Sequence, residues 1–334
     1  MSKDNKYLLE NIKNTSNLIN KNIKNIYELN SNSQLKNYFV KSSWASYSST
    51  GSNISYSSYE QLKQTLIMGA RFIHLNIHIN TLDGRKPVVR GKNEQNDKNI
   101  NGLEFDLCCK IINNYGFENE NISSYPLFLY LELMYDDYNV DVSNQIAESI
   151  IKNFNTKMPD IKYSYARKNL AIENIENFRN KIIILLNHGD GDNPRDDSQS
   201  LKELVHAYIK NYDYLPELKE QSNTIISLKP NDNQKGNYNL QSFNLPTDMN
   251  EYPKNRFIFL RPNDNNTKYK RFNDLYNFDV SSFYKLPIQF IPFKILPFTI
   301  DSSILENIKD SLIKYTLLFN HNNVHMPIIL LNKL

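Results

Sequence analysis

The 334-residue chain (39.2 kDa) is 40% hydrophobic and 22% charged, which excludes an intrinsically disordered protein, and its length suits one large α/β domain or two small ones. Its 39 basic and 36 acidic residues leave a net charge of +3, too weak a field to imply a nucleic-acid partner or strong membrane attraction. The longest apolar runs, Ile182–Leu186 and Met326–Leu331, are far shorter than the roughly 20 residues that span a bilayer.

In chain order, residues 7–30 place Leu8, Leu9, Ile12, Leu18, Ile19, Ile23, Ile26 and Leu29 at helical spacing. They predict a helical N-terminal extension, residues 1–34, ahead of a main domain spanning 35–334; its apolar face suits a cap on that domain, with an interaction arm or a virion or oligomer contact as alternatives. Tyr38–Ser43 reads as a strand, Tyr59–Gly69 as a helix stopped by its glycine, and Arg71–Ile79 and Lys86–Arg90 as strands. A helix over Phe105–Tyr115, a strand over Tyr125–Met134 and a helix over Val142–Phe154 follow. Lys181–Asn187 is a strand, Ser200–Lys210 a helix, and Thr224–Leu228, Arg256–Arg261 and Pro287–Ile295 are strands. Ser302–Phe319 is a last long helix. Asp190–Gln199 and Pro230–Pro253 are polar loops. Alternation of helices with about eight strands predicts a TIM-type (β/α)8 barrel.

Four segments, and a further strand after them, carry a resemblance. Tyr38-Phe39-Val40-Lys41-Ser42-Ser43-Trp44-Ala45-Ser46-Tyr47 is similar to a first strand that reads Tyr-Phe-Ile-Asn-Ser-Ser-His-Asn-Thr-Tyr. Gly69-Ala70-Arg71-Phe72-Ile73-His74-Leu75-Asn76 follows a Gly-Cys-Arg-x-Val-Glu-Leu-Asp strand, and Asp83 to Gly91 follows a run that ends Val-Tyr-His-Gly. Tyr125-Pro126-Leu127-Phe128-Leu129-Tyr130-Leu131-Glu132 follows Pro-Val-Ile-Leu-Ser-Leu-Glu, and Asn180–Leu185 the next strand. In this order and spacing, residues 37–187 resemble the X region of phosphatidylinositol-specific phospholipase C. Tyr252–Pro262 and Phe319–Leu331 resemble the Y region only faintly.

The resemblance implies a phosphodiesterase that deprotonates the inositol 2-hydroxyl with one histidine and protonates the leaving oxygen with a second. It also implies calcium held by acidic and amide side chains. Here the histidine positions are Trp44 and Arg90, and the metal positions are Ala45, His74, Asn76 and Glu132, of which only Glu132 is retained. Trp44 accepts no proton and Arg90 never gives one up, whereas general acid–base catalysis needs a group with a pKa near the working pH. No cofactor is expected, and calcium only if the family chemistry survives, since calcium takes six to eight oxygens.

Rival chemistries draw on the same residues. His74, Asn76 and His78 alternate on one strand and suggest zinc with Glu132, but His74 and His78 stand roughly 13 Å apart at 3.3 Å per residue, too far to share one ion. Arg90 and Lys92 are candidates for holding a phosphate, and Arg71 is expected to be structural. His188–Asp197 lacks the sixth-position glycine and twelfth-position glutamate of an EF-hand loop, so it reads as solvated. The adjacent Cys108 and Cys109 cannot staple distant segments and fit a reducing compartment.

The expectation is therefore a catalytically degenerate barrel serving as a binding or structural protein, its partner another protein, its own copies, or a phospholipid surface met peripherally. An active phosphodiesterase with a site rebuilt around His74, Asn76, Arg90, Glu132 and the 188–197 loop is the alternative. The asparagine- and lysine-rich composition suits an AT-rich genome such as that of a large DNA virus or a parasite. A cytoplasmic or virion location follows from that and from the polar start, Met1-Ser2-Lys3-Asp4, which has no signal-peptide pattern.

Overall fold

The structure, a computed structural model, describes residues 34–48, 57–67, 69–81, 84–91, 101–118, 124–135, 139–165, 167–187, 198–211, 224–228, 255–262, 288–293 and 328–330. The expected N-terminal helices, the helix Ser302–Phe319, Lys92 and the loops His188–Asp197 and Pro230–Pro253 lie outside these residues.

Tyr38–Ser43 forms β1, Phe72–Asn80 β2, Leu127–Leu133 β5 and Ile182–Asn187 β6. Helices Tyr59–Ile67 (α1), Phe105–Tyr115 (α2) and Val140–Phe154 (α3) make the crossovers between them. A hairpin pair, Lys86–Val89 (β3) and Leu103–Glu104 (β4), extends β2 on the outside. Gln199–Leu204 (α4) leads to Ala207–Asn211 (β7), Thr224–Leu228 (β8), Ile258–Leu260 (β9) and Phe290–Phe293 (β10). Strands β1, β2, β5, β6, β7, β8, β9 and β10 pair in parallel in that order, and β10 returns to β1, closing an eight-stranded TIM-type barrel. Ile328–Leu330 (β11) pairs antiparallel with Tyr38–Val40, on the edge of β1 that β2 takes farther along at Ser42 and Ser43.

The alternation of strand residues sorts the core into two layers. Ile73, Leu75, Leu129, Leu131, Ile184 and Leu186 face outward and pack under Leu62, Leu66, Cys108, Ile112, Ile146 and Ile150 of the helices. Phe72, Phe128, Tyr130, Ile183, Leu185, Phe257, Phe259 and Phe290 face inward. The interior is thus unusually aromatic: Phe72 and Phe128 each stand 5.0 Å from Phe290, and Tyr130 meets Phe259 edge-on at 5.9 Å. Helix α1 ends where its glycine predicts. Gly69, at φ 86°, donates to Leu66, and Ala70 donates to Thr65, so the last turn closes in a left-handed cap.

Short 3-10 turns floor the barrel below β6. Asp160, Asn169 and Asn174 each accept a hydrogen bond from the backbone N–H two residues on, at Lys162, Ala171 and Glu176. The turns deliver Tyr163, Leu170, Ile175 and Phe178 to the inner layer. Gln289 clasps this end: its amide oxygen accepts from Ile258 N–H (2.7 Å) and its NH2 donates to Lys36 carbonyl (2.8 Å).

One predicted helix is corrected. Ser200–Lys210 stops being helical at Leu204, because His206 joins β6: its N–H donates to Ile184 carbonyl (2.9 Å), and its Nδ1 accepts from Ile184 N–H (3.1 Å). The residues from Ala207 then run as a strand. Among the described residues, no helix is long and apolar enough to cross a membrane.

Candidate functional site

At the C-terminal ends of the strands, the usual working face of such barrels, four side chains lock together. β2 carries His74 and β5 carries Glu132 two rungs apart in paired register, which lets His74 Nε2 meet Glu132 Oε2 at 3.0 Å. Just past β1, Ala45 adopts φ 44° and points its N–H at His74 Nδ1 (3.1 Å). Since Nδ1 accepts, the ring hydrogen sits on Nε2 and is donated to Glu132. Trp44 stacks flat on that imidazole, with ring centroids 3.6 Å apart and planes 13° from parallel, and only 2% of it is exposed. Arg261, just past β9, lies over the indole ring, its guanidinium carbon 5.7 Å from the ring centroid, and its Nη2 donates to Glu132 Oε1.

Glu132 is buried, which by itself would raise its pKa. The charge of Arg261 and the hydrogen bond from His74 overcome that, holding the carboxyl down at about 2. Ser46 ties the two first strands below the site: its hydroxyl oxygen accepts from His74 N–H (3.0 Å) and its own N–H donates to His74 carbonyl (3.1 Å).

The residues singled out in the sequence divide into three groups. Trp44, Ala45, His74 and Glu132 are brought into direct contact. Asn76 sits level with Glu132 on β2, buried, with its Oδ1 free of hydrogen bonds. Arg90 lies beyond β3, half-buried, and its backbone holds the rim: its N–H donates to Asn76 carbonyl (3.2 Å), and its carbonyl accepts from the Tyr47 hydroxyl (2.8 Å). His78 stands opposite Val88 of β3, four residues beyond His74, whose two nitrogens are already engaged. Among the described residues, no group of three His, Cys, Asp or Glu side chains is placed to hold a metal ion. Arg71, buried below, donates to Gly116 carbonyl (2.6 Å) and lies over Phe117.

Arg261 is the residue that sequence reading missed. Its signal was present: Phe257, Phe259 and Arg261 alternate, so an inward strand face ends on a cation just before Pro262.

The residues at the implied calcium positions do not fit that ion. Ala45 offers a methyl group, both His74 nitrogens and both Glu132 oxygens are taken, and Asn76 Oδ1 alone stays open, against a need for six to eight oxygens.

Residues 31–188 match the family model for the phosphatidylinositol-specific phospholipase C, X domain. No curated protein matches the chain. Among solved structures it is similar to PLC21 of L. pealei, with a TM-score of 0.61 and 15% identity over 80% of this chain and 34% of that one. PLC21 of S. officinalis gives a TM-score of 0.58 and 14% identity over the same shares, 80% and 34%. The chain therefore spans about a third of those proteins, and the likeness is one of fold. A Ca2+-dependent phosphatidylinositol-specific phospholipase C from Streptomyces antibioticus aligns over 68% of this chain and 82% of its own, at a TM-score of 0.45 and 12% identity.

Proposed function

We propose that this chain, an X-domain segment completed into a closed phospholipase C-like barrel, is catalytically degenerate and serves as a binding or structural protein. The observation that carries this reading is Trp44: the position implied to hold the first catalytic histidine is an indole, buried against His74. The indole nitrogen's lone pair belongs to the aromatic ring and cannot take the proton of a hydroxyl, and the second position, Arg90, holds its proton at any ordinary pH. Losing one such acid or base costs roughly 10²- to 10⁴-fold in rate. The carboxylate that remains is committed to an ion pair and a hydrogen bond.

A module of this kind works through contacts with a protein partner, with its own copies, for example in a virion, or with a phospholipid surface met peripherally. The test is hydrolysis of phosphatidylinositol and of a generic phosphodiester, with and without calcium or zinc, beside Glu132→Ala. No turnover above background is expected under any metal. Turnover that Glu132→Ala abolishes would sink the reading in favour of a phosphodiesterase with a rebuilt site.

A further inference from the structure

The ion pair at the mouth joins parts of the chain that the X-domain match does not join. Glu132 lies inside residues 31–188, and Arg261 lies beyond them. The backbone sets Arg261 in place, since its N–H donates to Leu228 carbonyl (2.8 Å) and continues the β8–β9 ladder by one rung. Phe257 and Phe259 on the same face pack inside, so alternation brings the next side chain of that face up to the mouth. There the guanidinium is pinned between Glu132 and the Trp44 ring, with a quarter of the Arg261 side chain (25%) still reaching solvent. A planar, permanently charged fork suits both contacts at once, which a lysine ammonium does not.

We infer that Arg261 is the barrel's resident cation: it neutralises Glu132 where a metal would otherwise be called for, and so makes the mouth indifferent to calcium. The local charges support this. Among the described residues this guanidinium is paired with this carboxylate, and a divalent ion approaching Glu132 would have to expel the guanidinium or sit beside it with like charge. The lock also closes a ring of contacts from β1 through β2 and β5 to β9, by way of Trp44, His74, Glu132 and Arg261. The inference builds on the degenerate reading of the mouth, but its readout is stability, so the two fail separately. A calcium-stabilised chain without turnover would overturn only this one, and turnover by a calcium-indifferent chain only the other.

The experiment is thermal unfolding of the full chain in millimolar calcium and in chelator. Wild type is expected to show the same Tm in both, and a rise in calcium that Glu132→Gln abolishes would overturn the inference. Arg261→Ala is expected to lower Tm by roughly 5–15 °C, because it strands a buried carboxylate. Millimolar ethylguanidinium should restore part of that loss and ethylammonium should not. If Arg261→Ala does not fold, Arg261→Lys keeps the charge without the fork and should melt below wild type. A wild-type Tm in Arg261→Ala, or a loss that neither ethylguanidinium nor Arg261→Lys repairs, assigns Arg261 a packing role and overturns the inference.

Discussion

The half-barrel of β1, β2, β5 and β6 and the half of β7 to β10 reach the same wall by different means. The first has strands of six, nine, seven and six residues, backed by the apolar faces of α1, α2 and α3. The second has strands of five, five, three and four residues. With fewer ladder bonds available, its described part is held from inside, by Phe257, Phe259 and Phe290 in the aromatic column, by the Gln289 clasp and by Arg261. The first half is specified many times over by pattern. Among the described residues, the second is held by a handful of side chains, each with a defined partner.

Truncating the inner column tests that contrast most severely. Phe259→Ala should cost about 3–5 kcal/mol in denaturant unfolding, as much as Phe128→Ala, although β9 has only three residues. A cost well below that of Phe128→Ala would mean that the short strands are held from elsewhere.

The seam between the halves should show itself in acid. Burial pushes the His206 imidazole down to about 3. Between its ordinary 6.5 and about 3, the unfolded chain carries a proton there that the folded chain lacks. Stability is therefore whole above 6.5 and falls as pH drops through that window, by roughly 2 kcal/mol at pH 5. His206→Asn keeps an acceptor for Ile184 N–H without titrating, and should flatten this limb of a stability–pH curve. Glu132, whose carboxyl titrates between its ordinary 4.5 and about 2, contributes only at lower pH, so the two limbs separate. An unchanged limb in His206→Asn would move the seam's acid sensitivity to other groups.

The smallest effect belongs to local punctuation in the first half. Gly69→Ala places a Cβ on a residue at φ 86° and should cost about 1 kcal/mol in denaturant unfolding. A silent substitution would mean that packing, not the cap, stops α1.

Legibility in the sequence follows the same division. β1, α2 and β8 coincide with the spans expected from pattern alone, and β2, β5 and β6 depart by one or two residues at their ends. Strands buried on both faces read as continuous apolar runs, and these were long enough to recognise. Ser200–Lys210 misled because Leu201, Leu204, Val205 and Tyr208 satisfy a helical period, while a contact to β6 that no local pattern encodes ends the helix. In the site, Trp44, Ala45, His74 and Glu132 were picked out by resemblance, yet their mutual arrangement was not. The structure gives Glu132 its partner in Arg261, just past a strand of three residues and beyond the region where similarity guides the eye. An ion pair between distant segments leaves no periodic trace, and only the inward alternation of Phe257, Phe259 and Arg261 hinted at it.

The pairing of β11 with β1 bears on how the protein is made. Tyr38–Val40 leaves the ribosome well before Ile328–Leu330, which it takes as its antiparallel neighbour. The other edge of β1 likewise waits for β10. During synthesis β1 thus waits along its early half for both of these neighbours, which are made later. Long-range closures of this kind slow folding and leave unpaired strand edges open to association. The nascent chain therefore passes through a window in which a chaperone, or a second chain, competes for the place that the barrel's own late strands will fill.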